Sequence, residues 1–393
     1  MNHRSVLNGA AAAAVALSAL VLAACGGGGS ASSTTSAAPS TFALGRISGF
    51  GSIVVNGVHY DESNAIVKDE DGATHNQNEL KLGMVVEVQA GEIGESNNRQ
   101  SATAQDITFS SLIRGPIDSV GADSIVVLGQ TVKVGATTVF DESLTGGLTA
   151  LTAGTVVRVY GTFDSVTGVY SASRIEPQSG AESYRLRGAV KTYDAVAKTL
   201  TIGGAVIDVS AVTVPDGLQA GSLVRVKLST TNAASGAWVA ISVKSGLFEP
   251  QENDHTEVDG TITDFTSATV FSIDGLPVDA SKVNPAPTGL AKGVRVEVEG
   301  TVVNGVLVAT KVQVKTDEQD EQEGFDVDGS ITAADATKST FVVRGVMVSF
   351  DAATVKFVGG TAADLKVGAR VEVHGALAAD GVTLVSTEIE FKR

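Results

Sequence analysis

A single cysteine, Cys25, stands in 393 residues. No disulfide can therefore brace the fold, and the body of the chain offers no thiol nucleophile and no sulfur ligand for zinc. Aromatic residues make up only 5% of the sequence, and 28 Lys and Arg face 44 Asp and Glu for a net charge of -16. Single-stranded nucleic acid is held by basic grooves lined with stacking rings, and duplexes by Lys and Arg on phosphate, so no nucleic-acid partner is expected. Long amphipathic helical patterns are missing after residue 42, and proline is scarce, 8 residues against 44 glycines. Neither H-E-x-x-H nor G-x-S-x-G occurs, and His59, His75, His255 and His374 recur at no common spacing. These histidines read as structural or solvated, and the chain is not expected to be an enzyme. What is abundant is Val, Thr and Gly, the composition of many short strands joined by tight turns.

The N-terminus reads MNHRSVLNGAAAAAVALSALVLAAC, with Arg4 near its start, an apolar run from Gly9 to Ala24 and small residues before Cys25. It resembles a bacterial lipoprotein signal, Leu22, Ala23, Ala24 and Cys25 matching the lipobox. That resemblance implies that residues 1–24 are removed, that the Cys25 sulfur carries diacylglycerol, and that its amine carries a further acyl chain such as palmitate. Gly26 follows where inner-membrane lipoproteins often have Asp, so the resemblance points to the outer membrane, on its periplasmic or surface face. A plain signal peptide or uncleaved anchor is the alternative, although the run is shorter than the ~20 apolar residues a span requires. Residues 25–41 then form the lipidated cysteine and a Gly/Ser/Thr/Ala tether with a reach of about 20 to 25 Å.

Five stretches repeat one pattern: LKLGMVVEVQAG from Leu80, LTAGTVVRVYG from Leu151, LQAGSLVRVKL from Leu218, LAKGVRVEVEG from Leu290 and LKVGARVEVHG from Leu365. Each is preceded by a glycine-led run, at Gly45, Gly115, Gly188, Gly260 and Gly329, and by a hairpin such as SIVVNGVHY or FSIDGLPVD. In the copy from Leu290, Val294, Val296 and Val298 alternate with Arg295, Glu297 and Glu299, which places the valines on one strand face and the charges on the other. Each fully buried valine contributes about 1.5 to 3 kcal/mol, so the motif is core scaffold. A repeat near 70 residues is long for a solenoid unit. The chain is expected to be all-β, with five tandem five-stranded barrels at 42–111, 112–180, 181–248, 255–316 and 324–393. An OB-like barrel is favoured, with an SH3-like barrel or a small sandwich as alternatives. Through G-x-I, S-I-V-V-N-G and L-K-x-G-x-x-V-E-V, the repeats resemble a bacterial envelope family known as domain of unknown function 5666. The resemblance implies fold and location and no catalytic residue.

The acidic stretches LFEPQENDHTE and TDEQDEQEG read as solvated hinges between the later repeats, and the charged strand faces as solvated surface. Asp317, Asp320, Glu321, Asp326 and Asp328 are candidate calcium ligands, although their spacing departs from the EF-hand pattern. Asp69, Glu70, Asp71 and Gly72 form an acidic turn that could hold an ion more weakly. The expected function is a non-catalytic binding or spacing module held on a membrane through Cys25, with an envelope protein or glycan as partner. An envelope hydrolase with a site between barrels and a calcium-stiffened rod are the alternatives. The oligomeric state is not readable from the sequence.

Overall fold

Alternating apolar residues broken by glycine turns become strands too short to stand alone, and closing them into a barrel removes every open edge. The second repeat shows the plan, with strands Ile113–Val120, Ser124–Val127, Gln130–Phe140, Val156–Asp164 and Val169–Pro177. The first three pair antiparallel in turn, the third runs parallel to the fifth, and the fourth lies antiparallel to both the fifth and the first. The order 1-2-3-5-4-1 therefore closes on itself, which separates it from an open sandwich and is consistent with an OB-like barrel. The same ring recurs in the third repeat, the fourth, the fifth and the first. The protein is thus all-β, with barrels 1 to 5 at 41–109, 113–177, 183–245, 255–314 and 325–391. This computed structural model describes residues 39–96, 99–248, 253 and 255–392. Cys25, the lipobox and most of the tether lie outside the described residues.

The two recurring motifs dock on each other. Ile47 N–H donates to the Met84 carbonyl at 2.8 Å, and Gly83 N–H donates back to the Ile47 carbonyl at 2.8 Å. The same pair of bonds joins Ile117 to the Gly154 turn, Val190 to Gly221, Ile262 to Gly293 and Ile331 to Gly368. All five turn glycines have φ between +79° and +91°, a region that costs a residue with a Cβ roughly 1 to 2 kcal/mol. The opening glycines answer a different need. A Cβ on Gly45 would lie 2.0 Å from Asn56 Oδ1, and one on Gly260 would lie 2.2 Å from Asp274 Oδ2. Asn56 and Asp274 begin two-residue hairpin turns with positive φ at both positions, the type I′ geometry that matches strand twist. The turn side chain folds back over the opening strand, and only glycine leaves it room.

The barrels are not separate beads. The first strand of barrel 1, Thr41–Phe50, also pairs in parallel with His255–Ser267 of barrel 4, from Thr41 against His255 to Leu44 against Val258, and with Phe325–Asp335 of barrel 5 at Gly49 and Phe50. Its alternation serves two cores, because Phe42 and Leu44 enter barrel 4 while Ala43 and Ile47 enter barrel 1. Barrels 2 and 3 join through Arg114 against Arg185 and Ile113 against Leu186. The apolar side chains consequently form three cores: one shared by barrels 1 and 5 with Val139 and Tyr160 of barrel 2, one by barrels 2 and 3, and one in barrel 4 that takes in Phe42, Leu44 and Phe248.

This assembly corrects two expectations. The acidic stretch after barrel 4 is a helix, Asp317–Glu323, closed at its start by a capping box between Thr316 and Gln319. It buries Asp320 to 3% exposure, so the segment is a wedge rather than a hinge. The charged strand faces are likewise turned inward, with Glu257 and Glu297 only 3% and 6% exposed. Of the stretch between barrels 3 and 4, residues 249–252 and 254 lie outside the described residues.

Candidate functional site

Between barrels 1, 2, 3 and 4 lies a cleft with a cavity volume of about 90 Å³, open to solvent on one side. Barrel 1 contributes Leu44, Arg46 and Ser110, barrel 2 contributes Thr162, Phe163 and Ser173, the end of barrel 3 contributes Arg187 and Phe248, and barrel 4 contributes Asp259, Asp274 and Arg295. The helix adds Asp320.

One side of the cleft is a closed charge network. Arg295 donates to Asp259 through Nε at 2.8 Å, its Nη1 donates to Asp320, and Arg46 Nη2 reaches Asp320 at 3.3 Å. Arg46 also lies over the Phe325 ring of barrel 5, 5.6 Å from its centroid. Two guanidiniums and two carboxylates balance, so this wall carries no net charge. Burial pulls the Arg46 pKa down, although the Asp320 charge opposes that change. Arg295 is shifted the other way: burial lowers it, but Asp259 and Asp320 outweigh burial and raise it. Asp274 is different. Burial pushes its carboxyl up to about 7, opposed by the Thr261 N–H and helped by the Asp259 charge.

The acidic turn of barrel 1 closes a second groove, against barrel 3. Glu70 forms an ion pair with Arg185, 2.9 Å from its Nε, and accepts from Arg187 at 3.3 Å and from the Ser111 N–H at 2.8 Å. Asp71 accepts from Lys227 at 2.6 Å, Arg185 at 2.8 Å and Arg114 at 3.1 Å. The expected ion at this turn is therefore replaced by cations of the protein itself. Burial raises the Asp71 pKa, but Lys227, Arg185 and Arg114 together hold the carboxyl well below its ordinary value of 3.8. A group depressed in the folded chain stabilises fully above its unfolded pKa and loses that contribution as pH falls. The stability this contact contributes is expected to fall as pH drops below about 3.8, read as a denaturation midpoint that declines with acid in the native chain and less steeply in Asp71→Asn. The same acid dependence in both would show that the turn is held by something else.

The calcium candidates are not gathered. Asp320 is taken by two arginines, Asp326 lies 2.7 Å from His374 Nδ1, and Asp328 lies 3.2 Å from Arg370 Nε. Glu321 is exposed, and the side chain of Asp317 lies outside the described residues. Of the other histidines, His75 lies between Glu79 at 2.8 Å and Asp69 at 3.3 Å, His59 is half-buried, and His255 opens a strand. Among the described residues, the group of three side chains placed to share one cation is Glu257, Glu297 and Glu299.

Residues 114–176, 252–313 and 328–390 each match a family described as Domain of unknown function (DUF5666). Barrels 2, 4 and 5 are the ones that match it. The matched segments begin at the opening strand and end in the last one, so a DUF5666 domain corresponds to one closed barrel. No curated protein matches the chain. The cleft therefore lies between two barrels that match DUF5666, 2 and 4, and the two barrels of the same plan that the match does not cover. Sequence reasoning missed the cleft because its walls come from four repeats. Arg46, Asp259 and Arg295 were visible as charges on strands, but nothing local marks them as facing one another.

Proposed function

We propose that the protein is an outer-membrane lipoprotein, anchored through acylated Cys25, that binds a neutral glycan of the envelope in the cleft between its barrels. The observation carrying this reading is the pairing of charges in the cleft. Arg46, Arg295, Asp259 and Asp320 satisfy one another, and Arg187 is engaged by Glu70 and the Leu247 carbonyl. Besides the carboxyls of Asp274 and Glu87, the polar groups on the walls are mainly hydroxyls, those of Ser110, Thr137, Thr162 and Ser171, beside Phe163 and Leu44. Hydroxyls with a few apolar faces suit an uncharged, hydroxylated ligand better than an ionic one. No helix among the described residues is long and apolar enough to cross a membrane, and the reading assigns attachment to the lipid alone, which needs more than one chain to be stable.

The test is retention of oligosaccharides from envelope digests by the full chain in detergent, identified by mass spectrometry. A defined glycan should be retained, and Thr162→Trp, which fills the cleft, should weaken retention by at least about tenfold, roughly 1.4 kcal/mol. Equal retention by the variant, or none by the native chain, would overturn the binding site. Attachment is checked separately by palmitate labelling, which Cys25→Ser should abolish.

Hydrolysis is the second reading, and Asp274 favours it, since a carboxyl near pH 7 in a cleft is suited to general acid work. Against it, Asp274 holds the hairpin-turn position that Asn56, Leu128 and Arg344 hold in other barrels, all with φ near +50°. The position is a turn first. Loss of any glycan cleavage in Asp274→Asn would favour the hydrolase.

A further inference from the structure

We propose that Glu257, Glu297 and Glu299, together with the Tyr60 hydroxyl, form a binding site for a hard divalent cation, calcium or one of its size, at the seam between barrels 1 and 4. One carboxylate oxygen from each glutamate lies within 4.8 Å of the other two. The grouping follows from register: Glu257 faces Glu299 across the antiparallel pair, and Glu297 lies two residues from Glu299 on the same strand face. Glu257 is 3% exposed, and no basic side chain forms an ion pair with it among those that hold Glu297 and Glu299.

Tyr60 gives an independent indication. Its side chain is fully buried and its hydroxyl has no hydrogen-bond partner. Glu257 is the register partner of Ala43 on the first strand of barrel 1. Register partners point to the same side of a sheet, and Ala43 lies in the core that contains Tyr60. The orphaned hydroxyl therefore belongs to the same space as the Glu257 carboxylate, which is also the one charged group that acts on it. A buried hydroxyl without a partner beside a buried carboxylate forms a set that a cation completes.

Charge balance agrees. Lys311 reaches Glu299 and lies 3.8 Å from Glu297, while Lys315 lies 3.6 Å from Glu297 and 3.1 Å from Glu323. With Glu257 ionised by the cation, four carboxylates against two ammonium groups leave two negative charges, the charge of one divalent ion; without the ion, burial and the Glu297 and Glu299 charges push the Glu257 carboxyl up to about 9. The neighbouring Arg46, Arg295, Asp259 and Asp320 balance among themselves and do not offset this deficit. All-oxygen ligands select calcium-like ions over softer metals. Lys311 is half exposed, so it can swing to solvent when the ion enters.

Calcium titrated calorimetrically into the full chain in detergent tests the site, with terbium luminescence as a second probe, because a tyrosine beside a bound lanthanide sensitises its emission. One ion should bind with a dissociation constant no weaker than about 1 mM, the weak end for extracellular calcium modules. Glu257→Gln and the more accessible Glu299→Gln should each weaken binding at least about tenfold, with the circular dichroism of the metal-free protein unchanged. Lys311→Gln should tighten it, and Tyr60→Phe should dim the terbium emission. No binding to the native chain at millimolar calcium, or native affinity in both glutamine variants, would overturn the proposal.

Discussion

Asp320→Asn is expected to destabilise the protein by about 3 to 5 kcal/mol, the usual result of removing one partner from a buried ion network. The carboxylate is 3% exposed and receives Arg46 from barrel 1 and Arg295 from barrel 4. Without its charge, two buried guanidiniums share Asp259 alone. The change reaches farther than one barrel, because Arg46 also lies over Phe325 of barrel 5. Thermal denaturation should show a lower first transition, and hydrogen exchange should rise along the ladder from Thr41 to Leu44 that joins barrels 1 and 4. Glu321→Gln, on the exposed side of the same helix, is the control and should stay within about 0.5 kcal/mol. Equal stability of the two variants would mean that the helix is an ordinary linker.

The second large effect is a contrast between equivalent glycines. Gly83→Ala and Gly368→Ala replace the same motif residue, with φ +79° and +91°, so both incur the left-handed backbone cost of about 1 to 2 kcal/mol. A Cβ at Gly368 meets nothing within 4 Å, whereas one at Gly83 would lie 2.4 Å from the Ser173 carbonyl oxygen of barrel 2. That oxygen is backbone and cannot rotate away. Ser173 Oγ also donates to the Gly83 carbonyl at 2.7 Å, and the Arg174 guanidinium reaches the Leu82 carbonyl at 3.4 Å. Gly83→Ala should therefore cost a further 1 to 3 kcal/mol or so from overpacking and move barrel 2 off barrel 1. Chemical denaturation measures the difference. Matching costs at the two sites would show that the contact between barrels 1 and 2 yields freely.

Local pattern carried the barrel a long way. Val296 and Val298 alternate with Glu297 and Glu299, and both valines are fully buried, because a period of two fixes the faces of a strand whatever surrounds it. The turn glycines were equally legible, since a left-handed backbone angle is a local demand. Which partner a charged face meets was not. Arg295 and Glu297 read as solvated because alternation says only that they leave their own core, and it carries no information on whether another barrel waits there. One signal was available and unused. Thr41 to Leu44 is buried on both faces, and its apolar run without alternation marks a strand packed on two sides.

The acidic helix makes the same point from the opposite direction. By composition, TDEQDEQEG is a soluble linker, and Thr316 with Gln319 three residues on gives it a capping box that favours a helix. Only the meeting of barrels 1 and 4 gave Asp320 two arginines to neutralise it, and without them burial would exclude the carboxylate. The sequence by itself determined the repeating unit, five strands closed around valines with glycine turns, because those preferences act within about 70 residues of chain. The tertiary structure decided the cleft, the Glu257 cluster and the seating of Glu70 and Asp71 among arginines. The cleft and the seating of Glu70 and Asp71 join side chains from different repeats, and the Glu257 cluster, all from barrel 4, is buried because barrel 1 closes over it.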